Sequence, residues 1–191
     1  MSEAVSALNG AEYEGAVLVQ DAGLQGMITL RGDLAGAALG KALHDLCSLA
    51  VPAPRRMTSA GTRSALWMSP DELLVLCPYG DAPRLASGLQ AALAGEHALV
   101  ATVSDARAMF TLDGASLREV LAKLAPVDMA PGRIEPGEVR RTRLAQVAAA
   151  FWLEREGRAR VVCFRSVARY VFDILSDAAS PDAAVGVFDG R

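Results

Sequence analysis

The hydrophobic pattern of this chain occurs twice. Residues 27–32 read MITLRG and residues 109–114 read MFTLDG, which places Thr29 and Thr111 at an offset of 82 (111 − 29). In both segments apolar residues alternate with polar ones, which is typical of a half-buried β-strand. Apolar residues at helical spacing follow each segment and predict an amphipathic helix after it. Those residues are Leu34, Ala38, Leu39, Ala42, Leu43 and Leu46 in the first copy, and Leu117, Val120, Leu121 and Leu124 in the second.

The second of these helices has a predicted start and end. Ser116 and Glu119 form the S-x-x-E pattern of a capping box, in which each side chain bonds the backbone N–H of the other residue. Pro126 ends the helix just before it, because the residue that precedes a proline is pushed out of the helical conformation.

A hairpin pattern is repeated as well. SALWMSPDELLVLCP at residues 64–78 and AAAFWLEREGRARVVCF at residues 148–164 each join two apolar runs through a short polar turn. Trp67 and Trp152 occupy corresponding positions, as do Cys77 and Cys163. A further helix follows each hairpin. Pro83 opens the first of them near its first turn, and Ser166 is the expected N-cap of the second.

This order of elements predicts an α+β fold made of two pseudo-symmetric halves, each a mostly antiparallel sheet with helices on one face. We expect an N-terminal tail over 1–15, a first repeat over 16–95, a second repeat over 96–178 and a polar, disordered tail over 179–191. Two connections rich in proline and arginine, residues 51–63 and 126–141, occupy the same place in the two halves.

Composition narrows the class of protein. Hydrophobic residues make up 52% of the 191 residues and aromatic residues only 5%, so the core is built from Leu, Val and Ala. A net charge of −3 argues against a nucleic-acid-binding protein, which needs an excess of basic residues. No apolar run is long enough to cross a membrane, and the first residues lack the pattern of a signal peptide. Three isolated cysteines therefore predict free, buried thiols in the cytoplasm.

Motifs for catalysis are missing from the sequence. His44 and His97 are the two histidines, and neither has sequence neighbours that would orient it as a base or a metal ligand. No phosphate-binding loop or dinucleotide motif is present. Gly32, Gly36 and Gly40 recur every four residues and predict a helix that approaches a sheet or a partner closely. We predict no catalytic residue and no metal site.

Asp105 and Arg107 are weak candidates for a ligand site. They lie between two predicted strands, where a carboxylate can bind an amine or a pterin-like ring through charge-assisted hydrogen bonds. The alternative is that Asp105 fixes a turn by bonding its own backbone. Asp21-Ala22 matches Asp105-Ala106 at an offset of 84 (105 − 21), and this match favours the turn.

The arginines of the two connections are candidates for a subunit interface, since arginine is enriched at interfaces and pairs with carboxylates through two hydrogen bonds. Solvation of polar loops is the alternative. The candidates are Arg55, Arg56 and Arg63 in the first connection, and Arg133, Arg140, Arg141 and, shortly after its end, Arg143 in the second.

Several segments together resemble a known family. The chain is similar to the gamma subunits of heterotetrameric sarcosine oxidases, which are themselves similar to the folate-binding domain of glycine-cleavage aminomethyltransferases. The segments run in the family's order from residue 62 to about residue 175. They are TRSALWMSPDELLVLCP, VSDARAMFTLDG, LAKLAPVDM, EPGEVRRTRLAQV and RSVARYVFDIL.

The resemblance implies a subunit without an active site of its own, in a complex that oxidatively demethylates sarcosine to glycine. It further implies alpha, beta and delta subunits as partners. FAD, FMN, NAD and tetrahydrofolate are then bound by the other subunits, and hydrogen peroxide is a product. Two alternatives are a free-standing folate-binding protein or one-carbon transferase, and an unrelated interaction module of similar fold.

Overall fold

The structure is a computed structural model that describes residues 3–188. The outermost residues of the two predicted tails, 1–2 and 189–191, lie outside the described residues. Eleven strands and four α-helices are found within 3–188. The strands are β1 (Glu12–Glu14), β2 (Leu18–Asp21), β3 (Gly26–Arg31), β4 (Met57–Ala60), β5 (Arg63–Ser69), β6 (Glu72–Cys77), β7 (Leu99–Thr102), β8 (Arg107–Asp113), β9 (Val139–Leu144), β10 (Val147–Arg155) and β11 (Arg158–Phe164). The helices are α1 (Ala37–Cys47), α2 (Ala82–Ala92), α3 (Leu117–Leu124) and α4 (Ala168–Ala179).

The chain forms two compact units. One unit is continuous and comprises residues 24–104. Its five strands form an antiparallel sheet in the order β4-β5-β6-β3-β7. Buried side chains of α1 and α2 pack with those of the sheet into one cluster, which includes Leu30, Leu43, Leu73 and Leu85. The cluster is made chiefly of aliphatic residues, as the composition predicts.

The other unit combines residues 1–23 with residues 105–191. Its six strands form an antiparallel sheet in the order β1-β2-β8-β11-β10-β9. Helices α3 and α4 contribute to the cluster on one face of this sheet. Phe110 and Phe172 meet inside the cluster, with their ring centroids 6.2 Å apart.

The duplication is confirmed, since the elements from β2 to α2 and those from β7 to α4 follow one order of strands and helices. Each repeat, however, gives its first strand to the other sheet: β2 pairs with β8, and β7 pairs with β3. The residue after each of these strands makes an equivalent backbone hydrogen bond. Ala22 N–H donates to the Met109 carbonyl (2.9 Å), and Val103 N–H donates to the Met27 carbonyl (2.8 Å). The units therefore divide the chain at 23/24 and 104/105, whereas the sequence pattern predicted repeats of 16–95 and 96–178.

The predicted ends of the helices are partly right. Pro83 lies in the first turn of α2, and α3 ends at Leu124, shortly before Pro126. Ser166 is not the N-cap of α4, because a short 3-10 turn over Arg165–Val167 precedes that helix. The capping box at Ser116 is also wrong, since Ser116 makes no side-chain capping bond.

The three glycines do not lie along one helix. Gly32 precedes α1 and Gly36 is its N-cap, so that only Gly40 is helical. A Cβ atom at Gly40 would approach nothing closer than Val51, at 3.9 Å. Gly32 is tighter, because a Cβ there would lie 3.2 Å from a methyl group of Leu39. The close approach therefore belongs to the loop before the helix.

Both predicted tails contain structured segments. β1 lies within 1–15 and pairs with β2, and α4 extends to Ala179. Beyond α4, the backbone of residues 185–187 is bound to the protein through hydrogen bonds. Across residues 3–188, no helix has the length and apolar character needed to cross a membrane.

Candidate interaction surface

Asp105 and Arg107 lie at the start of β8, on the surface of their unit. Asp105 is exposed, within a short 3-10 turn over Ser104–Ala106. Arg107 faces Phe164 across the β8–β11 pair, and its guanidinium carbon lies 4.1 Å from the centre of the Phe164 ring. This geometry is a cation–π contact on a ring that is 46% exposed.

The proposed equivalence of Asp21 and Asp105 is wrong. Leu18 pairs with Asp113 and Leu99 pairs with Arg31, and Asp113 and Arg31 are equivalent at the offset of 82. The first strands therefore correspond at an offset of 81 (99 − 18), which makes Thr102 the counterpart of Asp21. Asp105 lies beyond the end of β7, so no residue of β2 is equivalent to it.

Asp21 itself binds the N-terminal segment. One of its carboxylate oxygens accepts hydrogen bonds from Ser6 Oγ (2.6 Å) and from the backbone N–H groups of Leu8 (3.0 Å) and Gly10 (3.2 Å). The other oxygen accepts a bond from Gly23 N–H (3.2 Å). By accepting these hydrogen bonds, the buried Asp21 carboxylate holds the segment before β1 against the sheet.

The arginines of the first connection have different environments. Arg55 and Arg56 are exposed, and Arg55 has a left-handed backbone with φ of 61°. Arg63 instead begins β5, where it donates to the Leu46 carbonyl (3.2 Å) and to Asp81 (3.4 Å). Arg63 therefore links the end of α1 to the start of α2, a structural role.

Most of the candidate arginines in and after the second connection lie in an edge strand. Arg133 is exposed and forms an ion pair with Asp128 (3.3 Å). Arg140, Arg141 and Arg143 lie in β9, the last strand of the six-stranded sheet. Arg140 is half-buried and pairs with Glu138 (3.2 Å), whereas Arg141 and Arg143 are exposed. The name arginine edge is used below for β9, residues Val139–Leu144.

Sequence reasoning missed Arg118, which holds the connection before the arginine edge. The Arg118 guanidinium is buried and binds both carboxylate oxygens of Glu156, each at 2.7 Å. It also donates to the carbonyls of Met129 (3.2 Å) and Ile134 (3.0 Å). The hydrogen bonds from Arg118 lower the pKa of the Glu156 carboxyl. No signal in the sequence separates this arginine from a solvated one on a helix.

Glu119, the next residue, anchors the C-terminal segment. Its carboxylate accepts hydrogen bonds from the backbone N–H groups of Val185 (2.7 Å), Gly186 (2.8 Å) and Val187 (3.3 Å). Lys123 lies 2.9 Å from the same carboxylate. The bond from Val185, followed by the Lys123 contact, lowers the pKa of Glu119 to about 2. The glutamate that the sequence assigned to a capping box therefore binds the other end of the chain.

The remaining candidate groups belong to the unit of residues 24–104. His97 is exposed beside a cavity of about 460 Å³ at the N-terminus of α1, which is also lined by Gly32, Asp33 and Glu96. His44 is exposed and contacts Asp45 (3.3 Å). Over residues 3–188 there is no group of three or more His, Cys, Asp or Glu side chains placed to hold a metal ion.

All three cysteines are free and buried. Burial raises the pKa of the Cys163 thiol to about 12 and that of Cys77 to about 11, and it raises the pKa of Cys47 as well. These thiols are protonated at neutral pH and serve as small apolar core residues, as predicted.

The duplicated antiparallel α+β fold is also found in a solved aminomethyltransferase. The structure is similar to that of glycine cleavage system aminomethyltransferase T from Bartonella henselae, with a TM-score of 0.58 and 13% sequence identity. That match covers 79% of this chain and 43% of the aminomethyltransferase. At this identity the likeness concerns the fold.

The model of the sarcosine oxidase, gamma subunit family matches residues 31–181, and the chain belongs to this family. It is 31% identical over 125 residues to sarcosine oxidase subunit gamma of an Arthrobacter species, and 30% identical over 124 residues to that of Corynebacterium sp. strain U-96. These matches cover 63% and 65% of this chain, and 61% and 60% of the two relatives. The resemblance found in the sequence is confirmed.

A solved structure agrees with this assignment. The chain is similar to one from the heterotetrameric sarcosine oxidase of Corynebacterium sp. U-96 in complex with pyrrole 2-carboxylate. The TM-score is 0.81 and the identity 26%, over 91% of this chain and 90% of the other. The α+β fold predicted from the sequence is therefore confirmed.

Proposed function

We propose that this chain is a non-catalytic gamma subunit of a heterotetrameric sarcosine oxidase. The observation that carries the proposal is the family match over residues 31–181. A TM-score of 0.81 to a chain of a heterotetrameric enzyme supports it. In this function the chain binds larger flavin-containing subunits and supports their activity in the cytoplasm.

The complex would oxidise sarcosine to glycine. Sarcosine gives up its methyl carbon to tetrahydrofolate, which becomes 5,10-methylenetetrahydrofolate, and the two electrons and two protons released reduce oxygen to hydrogen peroxide. The alpha and beta subunits would hold FAD, FMN and NAD, and the delta subunit would bind zinc. This chain would contribute binding surface to the assembly.

Co-expression with the larger subunits tests the proposal. We expect the chain to co-purify with flavin-containing partners as one heterotetramer, measured by native mass spectrometry. The isolated chain should show no flavin absorbance. Quantitative recovery of the chain alone from cells that also contain the larger subunits would contradict the proposal.

The same isolated chain tests the alternative of a free-standing folate-binding protein. Titration with tetrahydrofolate in a calorimeter is expected to give no heat at high micromolar concentration. Saturable heat that is lost in an Asp105→Ala or Arg107→Ala variant would favour the alternative and assign those residues to the ligand.

A further inference from the structure

The duplication allows one place in the fold to be compared between the two units. Arg107 and Phe164 are the last pair of β8 and β11. Their equivalents in the five-stranded sheet are Gln25 and Pro78, at the offsets of 82 and 86 that relate β3 and β6 to β8 and β11 (107 − 25 and 164 − 78). There the Gln25 amide donates to the Cys77 carbonyl and closes the end of the sheet. The fold therefore requires neither an arginine nor a phenylalanine at this place.

The Phe164 ring is exposed but ordered. Phenylalanine is ordinarily buried, whereas Phe164 is 46% exposed. The Arg107 guanidinium lies over one face of the ring, 4.1 Å from its centre, and holds the ring in one orientation. A side chain that is ordered before binding loses little conformational entropy when it docks. Phe164 therefore has the properties of an aromatic anchor at an interface.

Arg165, the next residue, adds a positive charge to this end of the sheet. Its Nη2 group donates to the carbonyls of Val5 (3.1 Å) and Ser6 (3.2 Å). Both acceptors are carbonyl oxygens, so no carboxylate among residues 3–188 neutralises this guanidinium. The Nε and Nη1 donors of Arg165 consequently remain for a partner.

The same two bonds place Val5 at the strand end that carries Phe164. Val5 is 53% exposed, and its segment is fixed because Asp21 binds Ser6 Oγ (2.6 Å). We call Val5, Phe164 and Arg165 the Phe164 patch. The patch combines two exposed apolar side chains with one cation, and aromatic residues and arginine are enriched at protein interfaces.

We propose that the Phe164 patch docks on a larger subunit, at an apolar pocket that carboxylates border. The proposal rests on the proposed function, because it names a contact surface of the same assembly. The exposed part of the Phe164 ring enters the pocket, and Val5 extends the apolar contact. A carboxylate of the partner accepts hydrogen bonds from Nε and Nη1 of Arg165, which balances its charge.

Two substitutions separate the apolar contact from the charge. Phe164→Ala removes the ring, and Arg165→Gln removes the charge while it keeps an amide that can donate to the Val5 carbonyl. Leu99→Ala shortens an apolar residue that is 54% exposed in the other unit, and it is the matched control for the ring. Arg84→Gln, at an exposed arginine of α2, is the control for the charge. Thermal unfolding of each isolated variant checks that it folds.

The affinity of each variant for the complex of the larger subunits is then measured by titration. We expect Phe164→Ala to weaken assembly by about thirtyfold, chiefly through faster dissociation. Arg165→Gln should weaken assembly by about tenfold and reduce its dependence on salt. Both controls should assemble like the unchanged chain.

A photoreactive benzophenone side chain at position 164 identifies the occupant of the patch. Irradiation of the assembled complex should link this position to a larger subunit, at a peptide that contains Asp or Glu. Mass spectrometry of the digested product maps the linked peptide.

Four outcomes would overturn the proposal. Assembly that Phe164→Ala leaves unaffected shows that the patch is not an interface. An affinity and a salt dependence that Arg165→Gln leaves unchanged show that no carboxylate meets the charge. A cross-link to a second copy of this chain makes that copy the occupant. Failure of the unchanged chain to assemble contradicts the proposed function itself, and the other three outcomes leave that function standing.

Discussion

Two neighbouring residues of α3, Arg118 and Glu119, connect distant parts of one unit. Both are charged, only 8% exposed, and make several hydrogen bonds each. Arg118 binds carbonyl groups of the connection that precedes the arginine edge, and Glu119 binds N–H groups of residues 185–187. On a helix such residues are ordinarily solvated, so their partners depend on tertiary contacts that local sequence does not encode.

Glu119 makes the attachment of the C-terminal segment dependent on pH. The pKa of its carboxyl is lowered from 4.5 to about 2, so the bonds to Val185 and Gly186 are complete above pH 4.5 and are lost as the pH falls through about 2. We expect the amide resonances of these two residues to titrate with a midpoint near 2 in NMR spectra. In a Glu119→Gln variant this transition should be absent. A midpoint near 4.5 in the unchanged chain would contradict the geometry.

At the scale of elements, periodicity predicted most of the fold. Alternating residues identified β3 and β8, and helical spacing placed α3 at its observed position. The pattern failed where partners decide the outcome. β2 and β7 were assigned to their own repeats because sequence order is the only guide to pairing before the sheets are known. The capping box did not form: the Ser116 side chain makes no capping bond, and the Glu119 carboxylate binds the C-terminal segment.

The connection before the arginine edge should depend on Arg118. In Arg118→Ala the carbonyls of Met129 and Ile134 lose a buried donor, and we expect the free energy of unfolding to fall by about 3 kcal/mol. Glu156→Gln should cost less, because the Glu156 side chain is 67% exposed and its removal leaves those carbonyls bonded. Urea denaturation of both variants measures the difference. Equal losses would place the stabilisation in the ion pair.

For the molecule as a whole, the sequence predicted the family and the duplicated α+β class, since these depend on the order of many segments. It did not predict which arginines contact solvent. Arg63 belongs to the same proline- and arginine-rich connection as Arg55 but makes internal hydrogen bonds, and Arg140 of the second connection pairs with Glu138. The candidate interface therefore contains fewer arginines than the sequence suggested, because some of the candidate arginines form bonds within their own unit.

The thiols provide a measurement of unfolding in each unit. Cys47 and Cys77 lie in the cluster of residues 24–104, and Cys163 lies in the other cluster. At pH 8 we expect the native chain to react with no thiol reagent, because burial raises the pKa of all three thiols. Three thiols should react after denaturation. Pulse labelling should show Cys47 and Cys77 becoming reactive at the same urea concentration, and separate midpoints would contradict a single cluster.

The exchange of first strands has a consequence for the order in which the chain folds during synthesis. Residues 24–104 contain every strand of their sheet and can fold as soon as they have left the ribosome. β2 has been made earlier, but its partner β8 begins only at Arg107. β2 is thus made before this unit but completed after it, and β1 is its only strand partner until β8 has been synthesised.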